Sequence, residues 1–171
     1  MAINKLGVLG AGTMGAGIAQ VAAQSGLQVI MTDLDQAFLD RAIKGITKNW
    51  DRDVSKGKIT EQDKGNFMKN ITTSTHNIDF ADCDLVIEAI VENIDIKKKV
   101  FKDLNDICPP QTVIATNTSG FSITEIAAAS GRPDKVVGMH FFNPVPVMKL
   151  VEVIPGAETS EETVALAMEA C

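Results

Sequence analysis

Short apolar runs alternate along this chain with stretches of helical period. The runs are "KLGVLG" (5–10), "LQVIMTD" (27–33), "DLVIEAI" (84–90), "TVIATN" (112–117), "KVVGMHF" (135–141) and "KLVEVI" (149–154). Several are apolar throughout, the pattern of strands covered on both faces. Helical patterns lie between them at 13–25, 36–55, 60–70, 94–106 and 122–129. Strand–helix–strand alternation predicts an α/β fold with a doubly wound, mostly parallel sheet. The link over 34–83 is far longer than a crossover needs. It divides at "SKGKITEQDK", where Gly57 suits a helix end and Thr60 with Asp63 matches a capping box. Two helices are therefore expected there, forming an arm that projects from the sheet. Ser122 and Glu125 in "SITE" form a second, cleaner capping box just after "NTSG".

The first run leads into Gly10-x-Gly12-x-x-Gly15. By itself this pattern is weak. Following a strand and opening a helix, it becomes specific: one glycine for a tight turn, one for close approach to a pyrophosphate, one for helix–strand packing. The helix start adds free N–H groups and a positive dipole end, with Thr13 and Met14 in its first turn. The next strand ends at Asp33. A carboxylate there holds both ribose hydroxyls and repels a 2′-phosphate, so NAD is favoured over NADP. The sheet is thus expected to be of Rossmann type.

The last two runs carry different chemistry. His140 ends one, the chain turns through Asn143, Pro144, Val145 and Pro146, and "KLVEVI" returns. Antiparallel pairing centred on Pro146 puts His140 opposite Glu152, with Cβ atoms about 4.5–5.5 Å apart. The carboxylate can then fix the imidazole tautomer and strengthen the other nitrogen as a base, an arrangement suited to taking a proton from an alcohol. A histidine at a strand end is commonly structural; its place at the C-terminal edge of a nucleotide-binding sheet favours the catalytic pair. His76, in "STHNIDF", has no such company and reads as a solvated loop residue. Ser119 in "NTSG" lacks a nucleophile elbow, leaving a hydroxyl for a substrate oxygen or plain turn chemistry. Asn143 either donates to a carbonyl or fixes the turn before Pro144.

Composition narrows the partners. The 171 residues suffice for one domain with a sizeable core. A net charge of −6 argues against wholesale nucleic-acid binding and sends any phosphate ligand to a local basic patch. One candidate patch is the arm, where Arg41, Lys44, Lys48, Arg52 and Lys56 share one broad helical face. Such a run is either a solvated face or a dock for an anionic ligand tail. Cys83, Cys108 and Cys171 are odd in number and lack metal-ligand spacing, so no disulfide framework and no metal are expected. Reduced thiols, the lack of a secretory pattern at the N-terminus and the absence of any run of ~18 apolar residues point to a cytoplasmic protein without membrane attachment. "SEETVALAMEAC" begins a helix and stops after about three turns, which suggests the front part of a longer protein.

"GAGTMGAGIAQ", "VIEAIVENIDIKKKVF", "ATNTSG" and above all "HFFNPVPVMKLVEVI" closely resemble the NAD-binding domain of L-3-hydroxyacyl-CoA dehydrogenases, nearest the bacterial branch that takes 3-hydroxybutyryl-CoA. The resemblance covers the whole chain, 1–171. It implies oxidation of a (3S)-3-hydroxyacyl-CoA to the 3-oxoacyl-CoA with NAD, or the reverse. It makes His140 the general base and Glu152 its orienting partner. Ser119 would bond the reacting oxygen near the nicotinamide, and Asn143 would position substrate carbonyl and cofactor. Glu92 and Lys97 match positions near the nicotinamide half, Asp33 holds the adenosine ribose, and Lys56 matches a coenzyme A contact. A neighbouring serine contact of the family falls at Asn49 here. The resemblance also implies a following all-helical domain, absent from this chain, that completes the acyl-CoA site and forms a homodimer.

Overall fold

The computed structural model describes residues 3–171. The chain runs β1 (Lys5–Leu9), α1 (Thr13–Gln24), β2 (Gln28–Thr32), α2 (Gln36–Ser55), α3 (Glu61–Lys69), β3 (Ile71–Ser74), β4 (Leu85–Glu88), α4 (Ile94–Ile107), β5 (Val113–Thr116), α5 (Ile123–Ser130), β6 (Val136–Phe141), β7 (Val151–Pro155) and α6 (Glu161–Glu169). Short 3₁₀ turns occupy Asn77–Phe80 and Pro133–Lys135. The strands form one sheet in the order β3-β2-β1-β4-β5-β6-β7. All neighbours are parallel except β6 and β7. This is the doubly wound sheet that the apolar runs predict, with its antiparallel strands at the C-terminal end.

The apolar strands face two cores. Leu85 and Ile87 of β4 join Val113 and Ala115 of β5 beneath α1, α2 and α6. Val86 and Ile114, one residue out of step, pack with Phe101, Leu104 and Ile126 of α4 and α5. Alternate side chains leave opposite faces of a strand, so a sheet covered on both sides needs apolar residues at every position.

The helical arm follows β2, and its inner stripe of Leu39, Ala42, Ile46 and Trp50 is fully buried. Beyond Trp50, α2 carries no buried residue, and neither does α3. Gly57 takes φ +67° just past the helix, and Thr60 with Asp63 forms the complete capping box. The second box is half formed. Ser122 accepts from the Glu125 N–H, but the Glu125 carboxylate pairs with Lys98 of α4 at 2.5 Å. A charged partner has taken the group that would have reached back to the cap. Strand β3 escaped the sequence reading. "ITTS" is four residues long with one apolar side chain, and its pairing with β2 supplies the rest of its identity.

Candidate functional site

The site lies where the parallel strands end. β1 stops at Leu9, and α1 starts at Thr13 with Gly12 as its N-cap. Gly10 has φ +108°, a conformation that side chains disfavour, and its N–H donates to the Thr32 carbonyl at 2.8 Å. A Cβ on Gly15 would sit 1.8 Å from the Gly10 carbonyl oxygen, so helix and turn meet only without one. Gly12 differs: its φ is −70°, and nothing lies within 4 Å of where its Cβ would stand. Neither strain nor crowding from the protein requires glycine there. The open space, with no side-chain cap and no acid in the first helical turn, fits an incoming anion such as a pyrophosphate. Thr13 is exposed beside it and Met14 half-buried against the core.

Asp33 stands at the end of β2 as expected, but it also braces the turn. Its Oδ2 accepts from the Ala11 N–H and its Oδ1 from the Leu34 N–H, both at 2.7 Å. Each carboxylate oxygen has two lone pairs, so capacity for ribose hydroxyls remains.

His140 pairs with Glu152 in the β6–β7 register, and Nδ1 lies 2.8 Å from the Glu152 Oε2. A carboxylate only accepts, so Nδ1 carries a proton, and in the neutral ring Nε2 is then the nitrogen with the lone pair. The ring packs against Phe142 at 4.7 Å. The connection between the strands, with a cis peptide at Asn143–Pro144, is pinned by buried Val145 against Gly17 of α1. Asn143 is exposed there. With Gly12, Thr13, Arg41, Asn49 and Pro146 it lines a cleft of about 490 Å³ between the glycine turn and α2.

Ser119 is exposed on the loop after β5, and its N–H donates to Glu92 Oε1 at 3.2 Å. Glu92 also accepts from the Thr118 hydroxyl and lies 3.2 Å from the Lys97 ammonium. Burial pushes its carboxyl up, but the Thr118 hydrogen bond and the Lys97 charge outweigh this and hold it below its ordinary value. Lys97 is only 1% exposed, and its ammonium meets the wholly buried Glu88 at 2.6 Å. Glu88 in turn accepts from the Thr116 hydroxyl at 2.7 Å and the Ile90 N–H at 2.8 Å. Lys97 therefore stands behind Glu92 rather than open to a ligand.

His140 with Glu152, and Ser119 with Glu92 and Lys97, thus form two clusters at strand ends. Lys56 lies apart, exposed at the C-terminal cap of α2, about 22 Å along the helix from Arg41. Asn49 turns inward and donates to the buried Gln20 at 2.9 Å. His76 is exposed, as expected. Glu88, Thr116, Asn117 and Thr118 were missed by sequence reasoning. A carboxylate inside the apolar run "DLVIEAI" was the available signal for Glu88.

The family model described as "3-hydroxyacyl-CoA dehydrogenase, NAD binding domain" matches residues 5–171. A probable 3-hydroxybutyryl-CoA dehydrogenase of Deinococcus radiodurans is 52% identical over 165 residues, 96% of this chain and 59% of that protein. A 3-hydroxybutyryl-CoA dehydrogenase of Clostridioides difficile is 49% identical over 159 residues, 93% of this chain and 57% of that protein. The crystal structure of the (S)-3-hydroxybutyryl-CoA dehydrogenase from Ralstonia eutropha superposes with a TM-score of 0.95 at 44% identity, covering 99% of this chain and 61% of that one. The chain therefore spans somewhat more than half the length of these relatives.

Proposed function

The chain belongs to the 3-hydroxyacyl-CoA dehydrogenase NAD-binding domain family, and on that premise we propose that the protein interconverts a (3S)-3-hydroxyacyl-CoA and its 3-oxoacyl-CoA with NAD. The relatives' names favour 3-hydroxybutyryl-CoA as substrate. The observation that carries the reading is the His140–Glu152 pair at the edge where the dinucleotide turn opens. Glu152 fixes the tautomer, and Nε2 of His140 takes the proton of the 3-hydroxyl. NAD, when bound, supplies the acceptor for the hydride leaving C3. The Ser119 hydroxyl bonds the reacting oxygen, and Asn143 positions the substrate carbonyl and the cofactor. Gly10, Gly12, Thr13, Met14 and Gly15 cradle the pyrophosphate and Asp33 the ribose. Glu92 borders the nicotinamide half, held there by Lys97.

Lys56 contacts coenzyme A. Its distance from Arg41 suits an extended ligand lying along the basic face of α2. The portion of the relatives that this chain does not match supplies the rest of the acyl-CoA pocket and the homodimer contact, in a cytoplasmic enzyme.

The test is His140→Gln in the protein as encoded, assayed with acetoacetyl-CoA and NADH. Turnover should fall about 10²–10⁴-fold with NADH affinity nearly unchanged; turnover within about tenfold of the parent overturns the assignment. Calorimetry with NADH on this chain measures the cofactor half separately. Binding without turnover there assigns cofactor capture to this chain and shows that it does not by itself complete the reaction.

A further inference from the structure

The strand that carries His140 is held unequally on its two sides. β7 pairs with β6 along its length, through His140↔Glu152 to Phe141↔Val151. On the other side, β5 pairs only Ile114↔Val136, Ala115↔Val137 and Thr116↔Gly138. The ladder with β5 thus ends two residues before His140. Beyond that point a side chain crosses the gap. The Phe141 N–H donates to the side-chain Oδ1 of Asn117 at 2.9 Å.

Asn117 is itself fixed by the sheet. Its backbone N–H donates to the Glu88 carbonyl at 2.8 Å, so its main chain is tied to β4 while its side chain is tied to β6. It is half-buried, which shields the bond in part. Two residues further on stands Ser119, the hydroxyl read above as the substrate's oxygen contact. Asn117 is therefore a single residue joined directly to the Ser119 loop and to the neighbour of His140.

We propose that Asn117 is a positioning residue: its side-chain carbonyl replaces the missing β5 backbone acceptor and sets the spacing between Ser119 and the imidazole of His140. The role rests on the reading of His140 as the base. A serine hydroxyl and a base must meet the same substrate oxygen, and a displacement of about 1 Å costs about a hundredfold in rate. The amide carbonyl is suited to this place because it mimics the peptide acceptor that a longer β5 would present, yet lets the chain turn away into "NTSG".

Asn117→Ala removes the acceptor and Asn117→Asp retains it. In the protein as encoded, the alanine variant should lose about tenfold to a hundredfold in kcat, with NADH affinity within about threefold of the parent, because the glycine turn and Asp33 are untouched. The aspartate variant, measured at its own pH optimum, should recover most of the loss. Equal losses in both variants, or a loss confined to NADH affinity, would overturn the proposal. A second measurement needs no variant: amide hydrogen exchange in the parent. The Phe141 N–H should be protected at least about a hundredfold over an unstructured peptide; exchange at the free-peptide rate rules out the bond whatever the variants do. Phe141 protection reports the clasp alone, whereas His140→Gln turnover reports the base alone, so the two readings fail separately.

Discussion

Lys97→Met should unfold this domain more readily than any single change at the exposed site residues. The side chains of Lys97 and Glu88 are 1% and 0% exposed, with their charges 2.6 Å apart. Removing the cation strands the Glu88 carboxylate, leaving it only the Thr116 hydroxyl and the Ile90 N–H. Breaking a buried pair in this way costs about 3–5 kcal/mol. With an unfolding entropy of about 2.1 cal/mol/K per residue, a chain of 171 residues loses about 8–14 °C of Tm. Glu88→Gln is the milder change. The amide oxygen can go on accepting from the Ile90 N–H while its NH2 donates to the Thr116 hydroxyl oxygen, and Lys97 retains Glu92 at 3.2 Å, so the loss should be about 1–3 kcal/mol. The double variant Glu88→Gln/Lys97→Met holds no buried ion of this pair and should melt above Lys97→Met alone. Thermal melts by circular dichroism at neutral pH decide the matter. A Lys97→Met shift below about 2 °C, or a double variant showing the sum of the single losses, refutes the account of a mutually dependent buried pair.

Glu152→Gln keeps a hydrogen-bonding oxygen opposite His140 but removes the charge; kcat should fall about tenfold or more while NADH affinity holds, and steady-state kinetics beside calorimetry check both. Glu92 has its carboxyl held below its ordinary value of 4.5. A value depressed in the folded state stabilises above the unfolded value, so its hold on Thr118 and Ser119 is complete above about 4.5 and is lost as pH falls through the depressed value. A carboxyl NMR titration with a midpoint at or above 4.5 contradicts this. Burial pushes the Cys83 thiol up to about 12 and Cys108 up to about 11; it raises the Cys171 thiol as well, but that residue is exposed where the other two are buried. Iodoacetamide at mildly alkaline pH should modify Cys171 well before the other two, as read by peptide mass spectrometry.

Much of this architecture was legible because its causes are local or periodic. The glycine spacing, the acid after β2 and the apolar strands each encode their role within a few residues. The His140–Glu152 pairing was legible for a related reason. A turn centre at Pro146 and a two-residue strand period determine which residues face each other, and the observed register matches that count. β3 was not legible, since "ITTS" carries too little pattern and owes its place to the edge of β2. The capping box at Ser122 was over-read for the opposite reason. Its sequence signal is complete, yet Lys98, far away in sequence, claims the glutamate.

Two of the site residues that sequence reasoning missed, Glu88 and Asn117, share one physical task with Asp33, which the sequence marks only as a ribose contact. Where the strands end, backbone donors of the loops lose their partners from the ladder, and a buried or half-buried N–H left alone is costly. Here side-chain oxygens take over. Asp33 serves Ala11 at the end of β2, Glu88 serves Ile90 at the end of β4, and Asn117 serves Phe141 past the end of β5. These acceptors let neighbouring strands stop at different lengths, which opens the crevice that a doubly wound sheet uses for its ligand. Their partners lie 22, 2 and 24 residues away. Only the Glu88–Ile90 bond falls within a local sequence window, and even there Glu88 reads as an intruder in an apolar strand until Lys97 and Thr116 are seen around it. Glu88 and Asn117, which hold the edge open, are thus set by tertiary register, while the residues read as meeting the ligand, Asp33 among them, are set by motif, which is why the second group could be read first.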